Sequence, residues 1–239
     1  MKRMMEVDLA DGTKWYLVFL FSTCCHEAAH AWTARRLGDD TADRGGQVTL
    51  DPTPHIRREP LGMVVVPLLS FFLGGWMIGW ASTPYNPNWA TRYPHRAAWM
   101  ALAGPAANLL LVLAAAWLMR IGFEWGVFHK PVRSGFLNVV AGAGEPDGAW
   151  VFCAKMVSLL FALNLLLGAF NLLPVPPLDG RSIPLLFLRG ETAEKYWLAL
   201  RQPMFSWLGL MLAWKLFGAA FPPVFQAASR LLYFTIPGR

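Results

Sequence analysis

Two histidines and a glutamate are the residues of this sequence most able to do chemistry: His26, Glu27 and His30, in the order His-Glu-x-x-His. On a helix, positions i and i+4 lie about 40° apart around the axis, so both imidazoles face one way and can share a metal ion. The carboxylate of Glu27 is placed to act on a water molecule bound to that metal. The spacing therefore predicts a zinc hydrolase with Glu27 as its catalytic base.

The helix that must carry these residues lies in an apolar run, residues 15–37, which is long enough to cross a membrane. Placing two imidazoles and a carboxylate in hydrocarbon costs several kcal/mol unless they are coordinated or hydrated, so their presence indicates function. The alternative is a hydrogen-bonded polar pair within a helix bundle, but it leaves Glu27 as an unexplained buried charge. The combination of motif and setting predicts a metalloprotease that works inside the bilayer.

The composition supports a membrane protein. Of the 239 residues, 55% are hydrophobic and 15% are charged, whereas soluble domains carry about 25% charged residues. The formal net charge of +6 is spread between the apolar runs, where Lys and Arg would meet lipid headgroups. No compact basic face with interleaved aromatics is evident, so we expect the lipid bilayer as a partner and no nucleic acid.

The apolar runs predict an all-α polytopic membrane protein with five to six transmembrane helices. We expect one membrane-embedded domain over residues 1–239, with a catalytic core at about 15–181 and C-terminal membrane segments at about 203–236. The predicted spans are residues 15–37, 61–81, 97–119, 150–173 and 203–221, with a shorter sixth apolar segment at 224–236 that is either interfacial or a tilted last helix.

Residues 45–52, in the loop after the first helix, alternate polar and apolar side chains between turn residues. This pattern predicts a short strand, one arm of a β-hairpin. A transmembrane substrate arrives as a helix and must unwind before attack, and an exposed edge strand at Val48 and Thr49 would hold the unwound segment by main-chain pairing. The alternative is a self-contained hairpin with no part in substrate binding.

Asp179 is the second acidic residue, besides Glu27, that lies in or at the edge of a span in a setting that suggests chemistry. The proline-rich stretch 174–177 ends the fourth predicted helix, and Gly180 permits a tight turn behind the carboxylate. Non-helical backbone at this depth is tolerated where it lines a wet cavity, which a peptidase inside a membrane must have. The alternative is a turn carboxylate ahead of Arg181.

Two asparagines are further candidates for the site. Asn171 is placed either to bind the substrate backbone or the developing oxyanion, or to join helices by hydrogen bonds. Asn108, after a Gly-Pro pair in the third predicted span, is a candidate to line the cavity.

The ordered motifs resemble the compact site-2 protease family. The resemblance rests on His26-Glu-Ala-Ala-His30-Ala and residues 35–39, then on 47–56, Ala103-Gly-Pro-Ala-Ala-Asn108 and the segment from Asn171 to Gly180, and it extends over residues 15–181. It implies that Asp179 is the third ligand, beside His26 and His30, of one Zn²⁺ per chain. It also implies a catalytic core of three helices and substrates that are transmembrane segments of other proteins. We expect a multi-pass protein of a prokaryotic cell membrane, without a PDZ-like or nucleotide-sensing accessory domain.

Two other functions stay open from the residues alone. A membrane-anchored zincin would cleave substrates outside the membrane, but such families place a downstream Glu ligand on a helix. A non-catalytic zinc-binding protein or transporter would bind metal without needing Glu27 as a base, and it would carry more polar residues along a pathway than this sequence offers.

Overall fold

A computed structural model of the chain describes residues 9–200 and 203–234, which are mostly helical. The elements in order are α1 (Leu9–Arg36), α2 (Thr41–Arg44), α3 (Pro52–Arg58), a π-helical turn (Leu61–Val65) continued by α4 (Val66–Gly74), α5 (Pro87–Arg92), α6 (Pro94–Glu124), β1 (Phe128–His129), β2 (Ala141–Gly142), α7 (Ala149–Asn171), a 3₁₀ helix (Asp179–Leu186), α8 (Gly190–Leu200) and α9 (Pro203–Phe234).

Three helices of the described part are long and apolar enough to cross a membrane: Pro94–Glu124, Ala149–Asn171 and Met204–Phe234. At about 1.5 Å per residue the shortest of them, with 23 residues, covers the roughly 30 Å of a bilayer's hydrocarbon core. Helix α1 has 28 residues and is long enough to cross a membrane, but its histidines and Glu27 lower its hydropathy, and it is not among these three helices. Three spans fit an integral membrane protein, and the count of five to six stays a prediction.

The predicted span at 61–81 is not a single helix. Helix α4 ends at Gly74, where Gly75 adopts φ 75°, a left-handed conformation that stops the helix. Residues 77–86 then run without regular structure. The apolar helix Leu61–Gly74 is about 21 Å long, too short to cross the hydrocarbon core alone.

The predicted segments 203–221 and 224–236 belong to one helix rather than two. Helix α9 continues through Pro222 and Pro223 to Phe234, and residues 235 and 236 lie outside the described part. Proline in an apolar helix removes a backbone hydrogen bond without necessarily ending the helix, because local adjustments satisfy the freed carbonyls.

The strand predicted at 45–52 is not formed, and this prediction was wrong. Residues 45–51 make turns and bends, and Asp51 caps α3 by accepting a hydrogen bond from the Thr53 amide at 2.8 Å, with Pro52 in the first helical position. Asp-Pro suits a helix start as well as a strand end. In the described residues, a two-stranded antiparallel sheet forms in the segment that connects α6 to α7 along the sequence, with Phe128 opposite Gly142.

Helices α1, α6 and α7 pack against one another and form the part of the bundle that carries the site. Apolar side chains such as Phe19 of α1 and Leu159 of α7 share one core cluster. Some of the buried polar side chains of these helices bind one another, among them Ser22 on α1, Asn108 on α6 and Asn164 on α7. Because buried polar groups need hydrogen-bond partners, these residues fix how the helices face each other.

Candidate metal centre

The His-Glu-x-x-His residues lie on α1, as their spacing predicts. His26, Glu27 and His30 are all buried, and the Nε2 atoms of the two histidines are 2.9 Å apart. Their rings meet edge to face with centroids 4.6 Å apart. One helical turn therefore brings two nitrogen ligands to one point.

Asp179 meets this pair from a part of the chain 153 residues beyond His26. Its Oδ2 lies 3.1 Å from Nε2 of His26 and 3.3 Å from Nε2 of His30. Helix α7 ends at Asn171, and the 3₁₀ helix begins at Asp179 itself. At Gly180 a Cβ atom would lie 2.3 Å from the main-chain oxygen of Leu172, so only glycine permits the close turn that aims the carboxylate.

The hydrogen bonds behind the histidines define which ring nitrogens face the centre. Nδ1 of His30 lies 2.7 Å from the carbonyl oxygen of Met100, and Nδ1 of His26 lies 2.6 Å from Oδ1 of Asn108. Both partners accept, so each Nδ1 donates to its partner and each Nε2 is the ring nitrogen that faces Asp179. Two ring nitrogens and one carboxylate oxygen, each able to bind a metal ion, thus face a common point.

The size of this cluster fits zinc. A tetrahedral zinc ion with bonds of about 2.0 Å has ligand-to-ligand edges of about 3.3 Å, close to the separations of 2.9, 3.1 and 3.3 Å between these atoms. Within residues 9–200 and 203–234 no other group of three or more His, Cys, Asp and Glu side chains is arranged to hold a metal. Two imidazoles and one carboxylate leave the fourth position open, as a catalytic zinc site requires.

Gly104 of α6 makes room for the centre. A Cβ atom at this position would lie 2.3 Å from Nε2 of His30 and 2.5 Å from Nε2 of His26. The Gly-Pro pair signals close helix packing in the sequence, but the sequence does not say that Gly104 faces the histidines.

Glu27 lines a cavity of about 1050 Å³ together with His26, His30 and Asp179. The hydroxyl of Thr83 donates to Oε2 of Glu27 at 2.7 Å, which holds the carboxylate at the cavity wall. Thr83 belongs to the irregular segment 77–86, and no sequence pattern marks it as part of the site. The wall is completed by residues 78–83 and, on α9, by side chains that include Trp207, Trp214 and Lys215.

The remaining predicted site residues are divided between the cavity and other places. Asn171 lines the cavity. Asn108 is fully buried behind His26, where its amide binds His26 and Asn164, so it has no free group for a substrate. Val48 and Thr49 lie in a separate shallow groove beside Trp32. The structure therefore brings the three predicted metal ligands, Glu27 and Asn171 together and leaves the other three outside the cavity.

His55 of α3 also lies outside the metal cluster. It is buried, and its Nε2 donates to the carbonyl oxygen of Thr49 at 3.1 Å. That contact ties α3 to the preceding turn.

Comparison with known proteins places the motifs in a family context. The model of peptidase family M50 matches residues 15–200 of this chain. A Bacillus subtilis (strain 168) protein named as a zinc metalloprotease, YwhC, is 32% identical over 171 residues, which cover 70% of this chain and 67% of that protein. No solved structure gives a significant match.

Two mycobacterial proteins named as zinc metalloproteases, both called Rip2, are also similar. The one from Mycolicibacterium smegmatis is 30% identical over 162 residues, covering 68% of this chain and 52% of that protein. The one from Mycobacterium tuberculosis (strain H37Rv) is 32% identical over 174 residues, covering 73% and 57%. The chain thus spans about two thirds of the Bacillus relative and little more than half of the mycobacterial ones.

Proposed function

Because this chain belongs to peptidase family M50, the site-2 protease family of metalloendopeptidases, we propose that it hydrolyses peptide bonds within transmembrane segments of other membrane proteins. In this proposal one zinc ion per chain is held by His26, His30 and Asp179, and Glu27 is the catalytic base. The observation that carries the proposal is the convergence of three acceptor atoms, at 2.9 to 3.3 Å from one another, beside a buried carboxylate.

The chemistry follows from the placement of these side chains. Zinc, when bound, acts as a Lewis acid that polarises the scissile carbonyl and makes a water molecule a better nucleophile near neutral pH. Glu27 accepts the proton of the attacking water and later delivers it to the leaving amine. Thr83 keeps the carboxylate of Glu27 pointed into the cavity. Asn171, on the same wall, donates from its side-chain amide to the oxygen on which negative charge develops.

The surroundings of the site support a substrate inside the membrane. The ligands on α1 pack against α6 and α7, and both of these helices are long and apolar enough to cross a bilayer. The cavity is lined largely by apolar side chains and is bordered by α9, a third helix of this kind. A soluble peptide would gain little from such walls, whereas an apolar transmembrane segment matches them.

The substrate must also lose its helical hydrogen bonds before attack. Residues 78–83 line the cavity without regular structure, so part of their backbone is available to pair with an unwound segment. This irregular backbone, rather than residues 45–52, is the part of the chain beside Glu27. The bilayer and transmembrane proteins are thus the partners that we propose.

The test is a cleavage assay in lipid vesicles with purified wild-type protein and a Glu27→Gln variant, joined to metal analysis of both. The substrates are a panel of single-span helices and one soluble unfolded protein. A Glu124→Gln variant is the matched control, because Glu124 pairs with Arg120 at the exposed end of α6. We expect about one zinc per chain in all three proteins, cleavage of spans by wild type and control, and none by Glu27→Gln.

Each other outcome selects a different function. Cleavage of the soluble protein alone would support a membrane-anchored protease with substrates outside the bilayer. Bound zinc with no cleavage of any substrate would support a zinc-binding or transport role. Undiminished cleavage by Glu27→Gln would remove the base assignment.

A further inference from the structure

A chain of hydrogen bonds connects His26 to the main chain of α7. The side-chain amide nitrogen of Asn164 donates to the carbonyl oxygen of Leu160 at 2.8 Å. Oδ1 of Asn164 accepts from Nδ2 of Asn108 at 2.8 Å, and Oδ1 of Asn108 lies 2.6 Å from Nδ1 of His26. Both asparagines are fully buried, so water does not compete for these groups.

The last partner in this series of hydrogen bonds, the carbonyl oxygen of Leu160, fixes which group donates and which accepts in each of them. A carbonyl oxygen only accepts, so the group of Asn164 that faces Leu160 is its NH₂ and the group that faces Asn108 is its oxygen. Asn108 must then turn its NH₂ to Asn164 and its oxygen to His26. His26 in turn must carry its ring proton on Nδ1, which leaves the lone pair of Nε2 for the centre.

Ser22 also accepts from the amide nitrogen of Asn164, at 2.8 Å, but this bond does not determine which way the amide of Asn164 is turned. A hydroxyl both donates and accepts, and would pair with either end of the amide. The carbonyl of Leu160 is the group that decides the orientation.

We propose that Asn164 is a positioning residue that sets the tautomer of His26 through Asn108 and thereby the affinity of the site for zinc. Asn164 touches neither the ligand atoms nor the cavity. Without it, the amide of Asn108 is free to turn over and present its NH₂ to His26. His26 would then carry its proton on Nε2, and that tautomer has no lone pair for a metal. The inference rests on the zinc site of the proposed function and adds a residue to it.

The experiment measures zinc affinity by competition with a chelator on the purified full chain, which needs no protease activity. Asn164→Leu keeps the side-chain volume but removes the hydrogen bonds to Asn108 and Leu160. We expect zinc affinity to fall by about 10 to 100-fold, the usual cost of losing a partner of a metal ligand. Ser22→Ala is the matched control, because it removes the hydrogen bond between Ser22 and Asn164 but leaves the one between Asn164 and the carbonyl oxygen of Leu160. We expect its affinity to stay within about twofold of wild type, because its bond does not set the amide direction.

A rescue variant separates the tautomer from packing. The Asn108→Asp substitution offers His26 two acceptor oxygens and no donor, so in combination with Asn164→Leu the side chain at 108 accepts from His26 in either orientation. We expect the double variant to bind zinc within about threefold of wild type, as carboxylate-histidine-zinc arrangements do. Equal affinity of Asn164→Leu and wild type, an equal loss in Ser22→Ala, or no rescue would each overturn the proposal.

A second measurement keeps the proposal testable if Asn164→Leu does not fold. Nitrogen-15 NMR of zinc-free wild-type protein reports which ring nitrogen of His26 carries the proton, and we expect Nδ1. A proton on Nε2 would overturn the proposal. Wild-type protein that binds no zinc would instead reject the proposed function.

Discussion

The hydroxyl of Thr83 lies 2.7 Å from Oε2 of Glu27 and 3.0 Å from the main-chain oxygen of the same residue. It reaches Glu27 from the irregular segment 77–86, not from any of the three helices that surround the ligands. A hydroxyl has one proton, so it can favour the carboxylate or share the proton between the two oxygens. In either arrangement the segment that lines the cavity is bonded directly to the proposed base.

Removing this hydroxyl should slow catalysis without removing zinc. Thr83→Val has the same shape but no donor, so the carboxylate of Glu27 is free to leave its position. We expect kcat to fall about tenfold, a part of the 10²- to 10⁴-fold that a positioned base contributes, and zinc content to be unchanged. Thr83→Ser should keep at least about half of the wild-type kcat. Wild-type kcat in Thr83→Val would show that the hydrogen bond has no catalytic role.

A side chain at position 104 should disturb the metal centre directly. Because a Cβ there would lie 2.3 and 2.5 Å from the two Nε2 atoms, Gly104→Ala should lower zinc affinity at least about tenfold. Gly218→Ala is the control, since its Cβ would meet open space on α9. Isothermal titration with zinc compares the two variants, and normal affinity in Gly104→Ala would contradict the close approach of α6.

Asn171 offers a test of transition-state stabilisation. Asn171→Ala should lower kcat by about 10²- to 10³-fold, the effect of losing one oxyanion donor, with zinc affinity and KM little changed. Steady-state kinetics on a cleaved span supply both constants. A raised KM with normal kcat would assign Asn171 to substrate binding instead, and no change in either constant would leave it as a residue that joins helices.

Metal removal should lower the stability of the folded protein as well as its activity. The three predicted ligand atoms converge only in the folded chain, so zinc held by them should stabilise the folded state over the unfolded one. At a free zinc concentration of 100 times Kd the added stability is about 2.7 kcal/mol. Thermal unfolding in detergent, with and without zinc, should show a rise in Tm for wild type and none for Asp179→Ala. An equal rise in both proteins would place the zinc elsewhere.

The three predicted metal ligands depend on the sequence to different degrees. Histidines four residues apart share a helix face whatever the rest of the fold does, so His26 and His30 need only their helix. Asp179 required the resemblance to a family, because its own neighbours fit a plain turn as well as a ligand. Its distance of 153 residues from His26 means that only the packed bundle brings the two together.

The errors arose where one local pattern suits two structures. Asp51-Pro52 ends a strand or starts a helix, and in the folded chain Asp51 caps α3. Apolar composition alone also extends a predicted span past Gly75, although a left-handed glycine ends the helix there. Thr83 and Gly104 act through contacts with distant parts of the chain, so neither their residue types nor their spacing could reveal them.

X-ray absorption spectroscopy at the zinc edge of the purified full chain tests the central claim most directly. With His26, His30 and Asp179 as ligands and one open position for water, we expect four nitrogen or oxygen neighbours at about 2.0 to 2.2 Å and the outer-shell signal of two imidazoles. Asp179→Ala should lose one of the oxygen neighbours or the metal itself. A sulfur neighbour at about 2.3 Å, or a shell with no imidazole signal, would contradict the account.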